Sequence, residues 1–349
     1  MSTSPKTAPP HPPLGSEGPG THAVAFWLSR VQRLPSGPTA ALNLLGHARQ
    51  ALLLAAAQPV AADLLAQLAL ALHVPLMAQG LVRTWADELQ ALLHRRPDLL
   101  TLEPTLGDCL LSAWTAAGDW GRAQEVLRLW RHRSPEQPLL TARILYRQGS
   151  LLWMQGRWLP AQRLANQAWR LAKDAPPLLR VGIAALMALS AWRLGRRKQA
   201  RRWVHRALEI CPPQEHLWRG RLHHYLLLIL RPVAPPIAQR HLALALHHLQ
   251  SAQAPLPLAH LWADSTDLYL TLGDLPRAEE ALAQAYRLWR ETEDPAGLAD
   301  FYRHAAIVAY ATDHPRLARD YAAHALALWQ DLGVRPEIRR CQALLRRGG

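Results

Sequence analysis

The sequence has few of the residues that mark a secreted or sheet-rich protein. It has only three cysteines, Cys109, Cys211 and Cys341, which are far apart and odd in number, and it contains no Cys-x-x-Cys pair. A disulfide framework is therefore excluded, and such cysteine usage is typical of a reducing compartment. No run of alternating β-branched residues is long enough to form a sheet. We therefore expect a cytoplasmic, all-α protein.

A long uninterrupted hydrophobic run is also missing. The most apolar stretch, from Leu52 to Val82, contains Pro59, Asp63 and Pro75, so no span of 18 apolar residues remains. Buried helices of a soluble array are the favoured explanation, and a membrane span is the less favoured one. Residues 1–21 are rich in Pro, Ser, Thr and Gly, without the charged start and apolar core of a signal peptide. We expect them to form a disordered tail.

Motifs for catalysis and cofactor binding are absent as well. The sequence has no Gly-rich phosphate loop, no Gly-x-Ser-x-Gly elbow and no His-Glu-x-x-His. Six of its 17 histidines fall between positions 214 and 250, but no nearby cysteine or aspartate completes a ligand set. Packed or solvated histidines are favoured over a metal site. We expect no enzyme, no cofactor and no metal.

Lysine is scarce, whereas arginine is abundant. Lysine occurs only at Lys6, Lys173 and Lys198, so 37 of the 40 basic residues are arginine, and the net charge is +14. Such a surplus favours anionic partners. The densest basic run, from position 193 to 206, predicts a basic surface that would suit nucleic acid or an acidic partner: Arg197, Lys198, Arg201 and Arg202. A solvated helix face is the favoured alternative, and nucleic acid is an unlikely partner.

What the sequence does contain is a short motif that recurs at a nearly constant step. A glycine precedes an alanine by five residues at Gly118–Ala123, Gly156–Ala161, Gly195–Ala200 and Gly273–Ala278. With two looser copies, the alanine anchors stand 38 to 40 residues apart, at Ala123, Ala161, Ala200, Ala238, Ala278 and Ala318. A fixed period of this length indicates a solenoid, in which each repeat buries its apolar face against its neighbours.

Each repeat is predicted to be two antiparallel helices joined by a tight turn. The segment 139–155 has apolar residues at helical spacing, and Gly156 is expected to end that helix in the left-handed conformation. Pro160 then falls in the first turn of the second helix. In other repeats Asp119 and Asp274 are expected to cap the second helix by accepting backbone N–H bonds.

These positions resemble the tetratricopeptide repeat, which has small residues at positions 8, 15, 20 and 27 of each unit. In the repeats that start at Ala142 and Val181 these residues are Gly149, Gly156, Ala161 and Ala168, then Ala188, Gly195, Ala200 and Ala207. The long period is similar to that of sensor domains in LuxR-type, maltose-regulator-like bacterial activators. The resemblance implies a right-handed superhelical solenoid of about eight helix–turn–helix units over residues 22–332. A capping helix and tail would follow over residues 333–349.

The resemblance also implies a binding surface, because the first helices of tetratricopeptide repeats line a concave face. Carried onto this sequence, the partner-binding positions hold Arg143, Tyr146, Arg147, Trp153, Trp192, Arg193, His223, His224 and Arg231. Arginine beside aromatic rings suits carboxylates, phosphates and stacked rings. Asp264, Asp267 and Asp300 make the later part of this face acidic. The alternative is that Trp153 and Trp192 only pack between repeats.

The favoured function is a non-enzymatic scaffold that binds, on its concave face, a protein or peptide with acidic segments. A regulator or sensor related to the activator domains is the second hypothesis. Direct nucleic-acid binding by the basic surface and self-association through the end of the array are further alternatives.

Overall fold

The computed structural model describes residues 19–33, 38–133, 137–290 and 292–346. Within these ranges the chain forms eighteen α-helices and no strand. They are α1 (Pro19–Val31), α2 (Pro38–Ala55), α3 (Ala62–Gln79), α4 (Val82–Arg95), α5 (Asp98–Leu102), α6 (Thr105–Ala116), α7 (Trp120–Arg133), α8 (Pro138–Met154), α9 (Trp158–Leu171), α10 (Pro177–Arg193), α11 (Arg197–Ile210), α12 (His216–Leu230), α13 (Pro235–Ser251), α14 (Pro255–Thr271), α15 (Leu275–Trp289), α16 (Pro295–Ala311), α17 (Pro315–Asp331) and α18 (Arg335–Arg346).

The ends of the chain are only partly covered by the described residues. Helix α1 begins at Pro19, inside the segment 1–21 that the sequence predicts as a tail. Residues 1–18 of that predicted tail and residues 347–349 lie outside the described ranges. The predicted C-terminal helix corresponds to α18, which ends at Arg346.

The chain divides into two compact units. The first comprises the described residues up to Pro75 together with Asp87–Leu106. The second comprises Leu76–Ala86 together with the described residues from Gly107 onwards. In the first unit, α1 packs on α2, and Arg49 forms an ion pair with Glu88.

Helix α3 is the one helix in the described part of the chain that is long and apolar enough to cross a membrane. It carries Asp63 in its first turn and Pro75 inside it, and 44% of its most apolar window is buried by protein. Core helices of helical-repeat proteins have the same length and composition, so this helix is weak evidence for a membrane span.

The second unit is a stack of antiparallel helix pairs. Helices α8 and α9, α10 and α11, α12 and α13, α14 and α15, and α16 and α17 each pack as a hairpin. The second helix of each hairpin also contacts the first helix of the next, and successive first helices contact one another from α8 to α16. This arrangement confirms the predicted all-α solenoid of helix–turn–helix repeats.

The glycine-to-alanine motif forms the turn of the hairpins α6–α7, α8–α9, α10–α11 and α14–α15. Gly156 has a φ of 74°, its N–H donates to the carbonyl of Trp153 at 2.9 Å, and the N–H of Arg157 donates to the carbonyl of Leu152 at 2.8 Å. This pair of bonds is a Schellman motif, which satisfies the last carbonyls of α8. Five residues after the glycine, the anchor Ala161 is fully buried, as are the other five anchors.

The caps predicted for two second helices are confirmed. The Oδ1 atom of Asp119 accepts a hydrogen bond from the backbone N–H of Arg122 at 3.1 Å. The Oδ1 atom of Asp274 accepts one from the N–H of Arg277 at 3.2 Å. Each bond satisfies a donor that a helix N-terminus leaves without an intrahelical partner.

The second unit closes on itself through contacts between residues that are far apart in sequence. Glu293 Oε2 accepts hydrogen bonds from the backbone N–H groups of Arg83 and Thr84 at 2.9 and 2.8 Å, so a residue some 210 positions away caps α4. The N–H of Glu293 in turn donates to the carbonyl of Gly80 at 2.8 Å. Across the same unit, Arg193 forms an ion pair with Glu337 at 3.1 Å. The first helices therefore enclose a central space.

Candidate binding chamber

A cavity of about 630 Å³ lies at the centre of the second unit. Its wall is formed mainly by the first helices of the hairpins, from α8 to α16, and by α18. We call this cavity the chamber. Eight aromatic side chains contribute to its wall: Trp120, Tyr146, Trp153, Trp158, Trp192, Trp218, Tyr225 and Trp329. The two-helix repeat thus provides an aromatic surface that lines a cavity.

The structure places seven of the nine predicted binding residues in the chamber wall. They are Tyr146, Arg147, Trp153, Trp192, Arg193, His224 and Arg231. Asp264, Asp267 and Asp300, predicted to make part of the face acidic, also line it. Arg143 and His223 are not part of the wall. The role of these residues in binding a partner stays a prediction.

His223 was predicted to face the chamber but does not, because the inward-facing residues of the fifth repeat are shifted by one position along α12. On α10 the wall includes the adjacent pair Ala185 and Leu186, which stand 15 and 14 residues before the anchor Ala200. On α12 the corresponding pair is His224 and Tyr225, which stand 14 and 13 residues before Ala238. The number of residues between the wall pair and the alanine anchor is therefore one smaller in this repeat.

The turn between α12 and α13 explains this difference. It has no glycine, and prolines at positions 232, 235 and 236 surround a tight bend in which the N–H of Ala234 donates to the carbonyl of Leu230. A one-residue change turns a helix by about 100°, which replaces the side chains on its inner face. The wall of α12 therefore includes Arg221 and Tyr225, which the sequence pattern did not predict.

Most charged groups of the wall are paired with one another or with a carboxylate directly behind them. The pairs and their distances are Arg147 with Asp108 (2.8 Å), His224 with Asp264 (2.8 Å), Arg231 with Asp267 (2.9 Å), His260 with Asp294 (2.8 Å) and Arg303 with Asp300 (3.1 Å). Arg147 and Arg231 are thus ion-paired within the protein, while their role in binding a partner stays a prediction. Their guanidinium groups are already neutralised inside the protein.

The pairing is reflected in the pKa values of the wall. Burial alone would raise the pKa of Asp264 and Asp267. The hydrogen bond and charge of His224, with the charges of His304 and Arg231, hold the pKa of Asp264 well below its usual range, and His304, Arg231 and Arg303 do the same for Asp267. Burial alone would lower the pKa of Arg147. The charge of Asp108 more than offsets this effect, so the pKa of Arg147 lies above its usual value. These groups are therefore charged at neutral pH.

The spacing of two pairs provides a sequence signal for them. Arg147 and Asp108 are 39 residues apart, and His224 and Asp264 are 40 residues apart, which is one repeat period. Residues at the same position of successive repeats lie side by side in a solenoid, because each repeat contacts its neighbours. Opposite charges one period apart therefore predict an ion pair rather than a free contact.

Arg193 occupies an aromatic cage. Its guanidinium lies 4.9, 5.3 and 5.8 Å from the ring centres of Trp192, Trp158 and Trp153. Its ion-pair partner, Glu337, is shared with Arg340, whose Nη1 lies 3.0 Å from the carboxylate. Burial lowers the pKa of Arg193. The expected stacking of arginine on tryptophan is present, but within the wall itself.

Arg221 differs from the other arginines of the wall. Its guanidinium lies 5.6 Å from the ring centre of Trp218, and Tyr225 is one helical turn further along α12. Among the residues that the structure describes, no carboxylate pairs with it. A partly buried cation beside aromatic rings is stabilised when a carboxylate from elsewhere reaches it.

The predicted basic surface and most of the histidines lie outside the chamber. Arg197, Lys198, Arg201 and Arg202 are exposed on α11 and are not in the wall. Five histidines form a cluster between α12 and α13: His216, His223, His241, His247 and His248. No group of three His, Cys, Asp or Glu residues in the described ranges is arranged to hold a metal ion.

Solved structures show the same fold along most of the chain. The structure of NprR in complex with its cognate peptide NprX is 16% identical, covers 78% of this chain and 84% of its own, and gives a TM-score of 0.57. The fold is a tetratricopeptide-like helical repeat. A Rap protein complexed with Competence and Sporulation Factor is 14% identical, with coverage of 93% and 98% and a TM-score of 0.56.

A third similar structure carries the repeat in its name. It is a tetratricopeptide repeat protein from Parabacteroides merdae, which is 15% identical over 81% of this chain and 98% of its own, with a TM-score of 0.47. No protein-family model and no curated protein matches the sequence. At these identities the similarity concerns the fold alone, and function depends on the residues of the chamber.

Proposed function

We propose that this protein is a non-catalytic, cytoplasmic binding protein whose chamber holds a peptide segment of a partner. The chamber volume of about 630 Å³ falls within the range of roughly 300–1,000 Å³ typical of ligand-binding cavities. Its aromatic wall provides apolar contact area, and its polar groups come from several different repeats. NprR, which has a similar fold, was solved with a peptide, and this supports a peptide as the class of ligand.

The observation that carries the proposal is Arg221, the wall arginine without a carboxylate partner among the described residues. A ligand carboxylate at this position would satisfy the guanidinium with two parallel hydrogen bonds. Trp218 and Tyr225 would pack against the apolar part of the same ligand. Positive charge also exceeds negative charge near Arg193 and Arg340, which share the single carboxylate of Glu337. The ligand is therefore an acidic peptide or one bound by its C-terminus.

The other wall residues have supporting roles in this proposal. Tyr146, Trp153 and Trp192 provide contact area, and the ion pairs of Arg147 and Arg231 hold the inner helices in register. Arg143 and His223 lie outside the wall and are not proposed as contacts.

The proposal is tested by selecting a ligand and then removing Arg221. The full-length protein is mixed with a pool of random ten-residue peptides, unbound peptides are removed by gel filtration, and the retained ones are identified by mass spectrometry. Their affinities are then measured by calorimetry. Arg221→Gln is expected to weaken binding about tenfold or more, because a hydrogen bond to a charged group contributes about 1.5–3 kcal/mol.

The matched control is Arg240→Gln, which removes the same charge from an exposed position on α13 in the same repeat. It should leave the affinity unchanged. Replacing the peptide's own carboxylates by amides should weaken binding to the wild type but not further weaken binding to Arg221→Gln. Retention of no peptide, or equal affinities for wild type and Arg221→Gln, would contradict the proposal.

A further inference from the structure

Most of the net charge of the chain is concentrated in two repeats. Residues 137–210, which contain α8 to α11, hold fourteen Lys or Arg residues and two carboxylates, Asp174 and Glu209. The net charge of the complete chain is +14. Charge concentrated in this way is a property of one surface rather than of the average composition.

Ten of these cations are exposed on or beside the second helices α9 and α11; Arg206 pairs with Glu209 and Arg196 donates to Gln162, which leaves eight. We call this set the basic face: Arg157, Arg163, Arg170, Lys173, Arg197, Lys198, Arg201 and Arg202. Arg147 and Arg193, by contrast, turn inward to Asp108 and Glu337. No carboxylate in the described part of the chain forms an ion pair with any member of the basic face.

The two helices of the basic face lie side by side. Trp169 of α9 and Trp203 of α11 meet edge to face with their ring centres 5.2 Å apart. The Nη1 atom of Arg196 donates to Oε1 of Gln162 at 2.9 Å. Arg197 and Arg201 are four residues apart and therefore point to the same side of α11. The eight cations thus lie on or beside two helices whose side chains are in contact.

The composition of the basic face selects among anionic partners. Helix α11 exposes no large apolar side chain, whereas membrane-surface helices need Trp, Phe or Leu to insert. Protein interfaces need an apolar or aromatic centre, and single-stranded nucleic acid needs exposed rings for base stacking. On α9 only Leu159 and Leu171, near its two ends, are exposed apolar residues.

We propose that the basic face binds the phosphate backbone of duplex nucleic acid without sequence preference. Six of its eight cations are arginines, whose planar forks match phosphate oxygens. The fourteen residues of α11 span about 21 Å, which covers about six base pairs of a duplex. No contact to base edges is part of the proposal, so binding comes from phosphate contacts and counterion release.

The test is a salt titration of binding to a fluorescent 24-base-pair duplex of arbitrary sequence, followed by anisotropy. The wild type is compared with a fourfold variant, Arg197→Gln, Lys198→Gln, Arg201→Gln and Arg202→Gln. Loss of four phosphate contacts should weaken binding at least tenfold at 100 mM salt. It should also make the slope of log affinity against log salt less steep by about 3 to 4. An unrelated duplex should bind the wild type equally well.

The matched control removes the same total charge elsewhere: Arg287→Gln, Arg290→Gln, Arg316→Gln and Arg319→Gln, all exposed on or beside α15 and α17. It should keep most of the affinity and the slope. The proposal is overturned if both fourfold variants lose affinity equally, or if the basic-face variant binds like the wild type. Binding to phosphatidylserine vesicles or to polyglutamate, but not to the duplex, also overturns it.

Three further measurements distinguish a loss of duplex binding by the basic face from effects on folding and on the chamber. A second variant on α9, Arg163→Gln with Arg170→Gln, should weaken duplex binding several-fold and make the slope less steep by about 2. Thermal unfolding should be unchanged in both variants, because all six positions are exposed. Peptide binding in the chamber should be unaffected, so failure of one proposal does not imply failure of the other.

Discussion

The alanine anchors determine how closely the two helices of a repeat approach. Ala161 is fully buried, and an added Cβ on Gly149 of α8 would lie only 3.3 Å from its carbonyl oxygen. Two small residues therefore face each other where the helices are closest. The period of the motif in the sequence reflects the requirement for a small, buried anchor in each repeat.

Ala161→Leu should destabilise the protein by about 1–3 kcal/mol, because the added carbons cannot be accommodated without moving α8 from α9. The free energy of unfolding is measured by urea denaturation. The matched control is Asn166→Leu, which places the same side chain on an exposed position of α9 and should change stability by less than about 0.5 kcal/mol. Equal stability of Ala161→Leu and the wild type would show that the hairpin is not closely packed at its anchor.

The sequence pattern predicts residues well where local rules decide their role. The glycine turns and the caps at Asp119 and Asp274 depend only on neighbouring residues, and the structure confirms them. The pattern fails at His223, because a turn without glycine shortens one repeat and changes which side chains face inward. Arg221 was missed for the same reason.

At the scale of helix pairs, α12 and α13 are joined by a ladder of histidines. His216 and His223 on α12 are seven residues apart, and so are His241 and His248 on α13. The Nδ1 atoms of His216 and His248 are 3.0 Å apart, and those of His223 and His241 are 3.2 Å apart. Each pair shares one hydrogen bond, which requires that at least one of the two rings is neutral.

The ladder predicts that stability falls as the pH is lowered. Burial, together with the positive charge that His241, His248, Arg219 and His205 would carry, lowers the pKa of His223 to about 4. Burial, followed by neighbouring charges, also lowers the pKa of His241 and His248. An unfolded chain takes up these protons near pH 6.5, whereas the folded protein does not, so stability is lost between about pH 6.5 and pH 4.

His223→Gln should reduce the difference in the free energy of unfolding between pH 7.5 and pH 5 by about 1–2 kcal/mol. The measurement is urea denaturation at both pH values. The control is His94→Gln, which replaces an exposed histidine and should leave the pH dependence unchanged. Equal pH dependence of His223→Gln and the wild type would mean that the ladder is protonated in the folded protein.

At the scale of the molecule, the second unit forms its chamber only because distant repeats meet. Glu293 caps α4 across some 210 residues, and Arg193 reaches Glu337 across 144. These contacts depend on the accumulated rotation of successive repeats, which cannot be predicted from a local sequence pattern. The sequence therefore predicted the solenoid and an inner face lined by arginine and tryptophan, but not its closure or the internal pairing of its charges.

Closure has a consequence for where a ligand can bind. Replacing a small side chain of the wall by a large one would block part of the chamber without disturbing its ion pairs. Ser150 of α8 is such a residue, since it lines the chamber and its hydroxyl bonds only to the carbonyl of Tyr146, at 3.0 Å. A tryptophan at this position would project a large ring into the chamber and narrow it.

The most direct test of the chamber as the binding site is the affinity of a selected peptide for Ser150→Trp, with Ser150→Ala as the matched control. Thermal unfolding of both variants establishes that they are folded. If the peptide binds in the chamber, Ser150→Trp should lose binding by at least tenfold, while Ser150→Ala keeps the wild-type affinity. Wild-type affinity in a folded Ser150→Trp variant would contradict the account and place the peptide elsewhere on the protein.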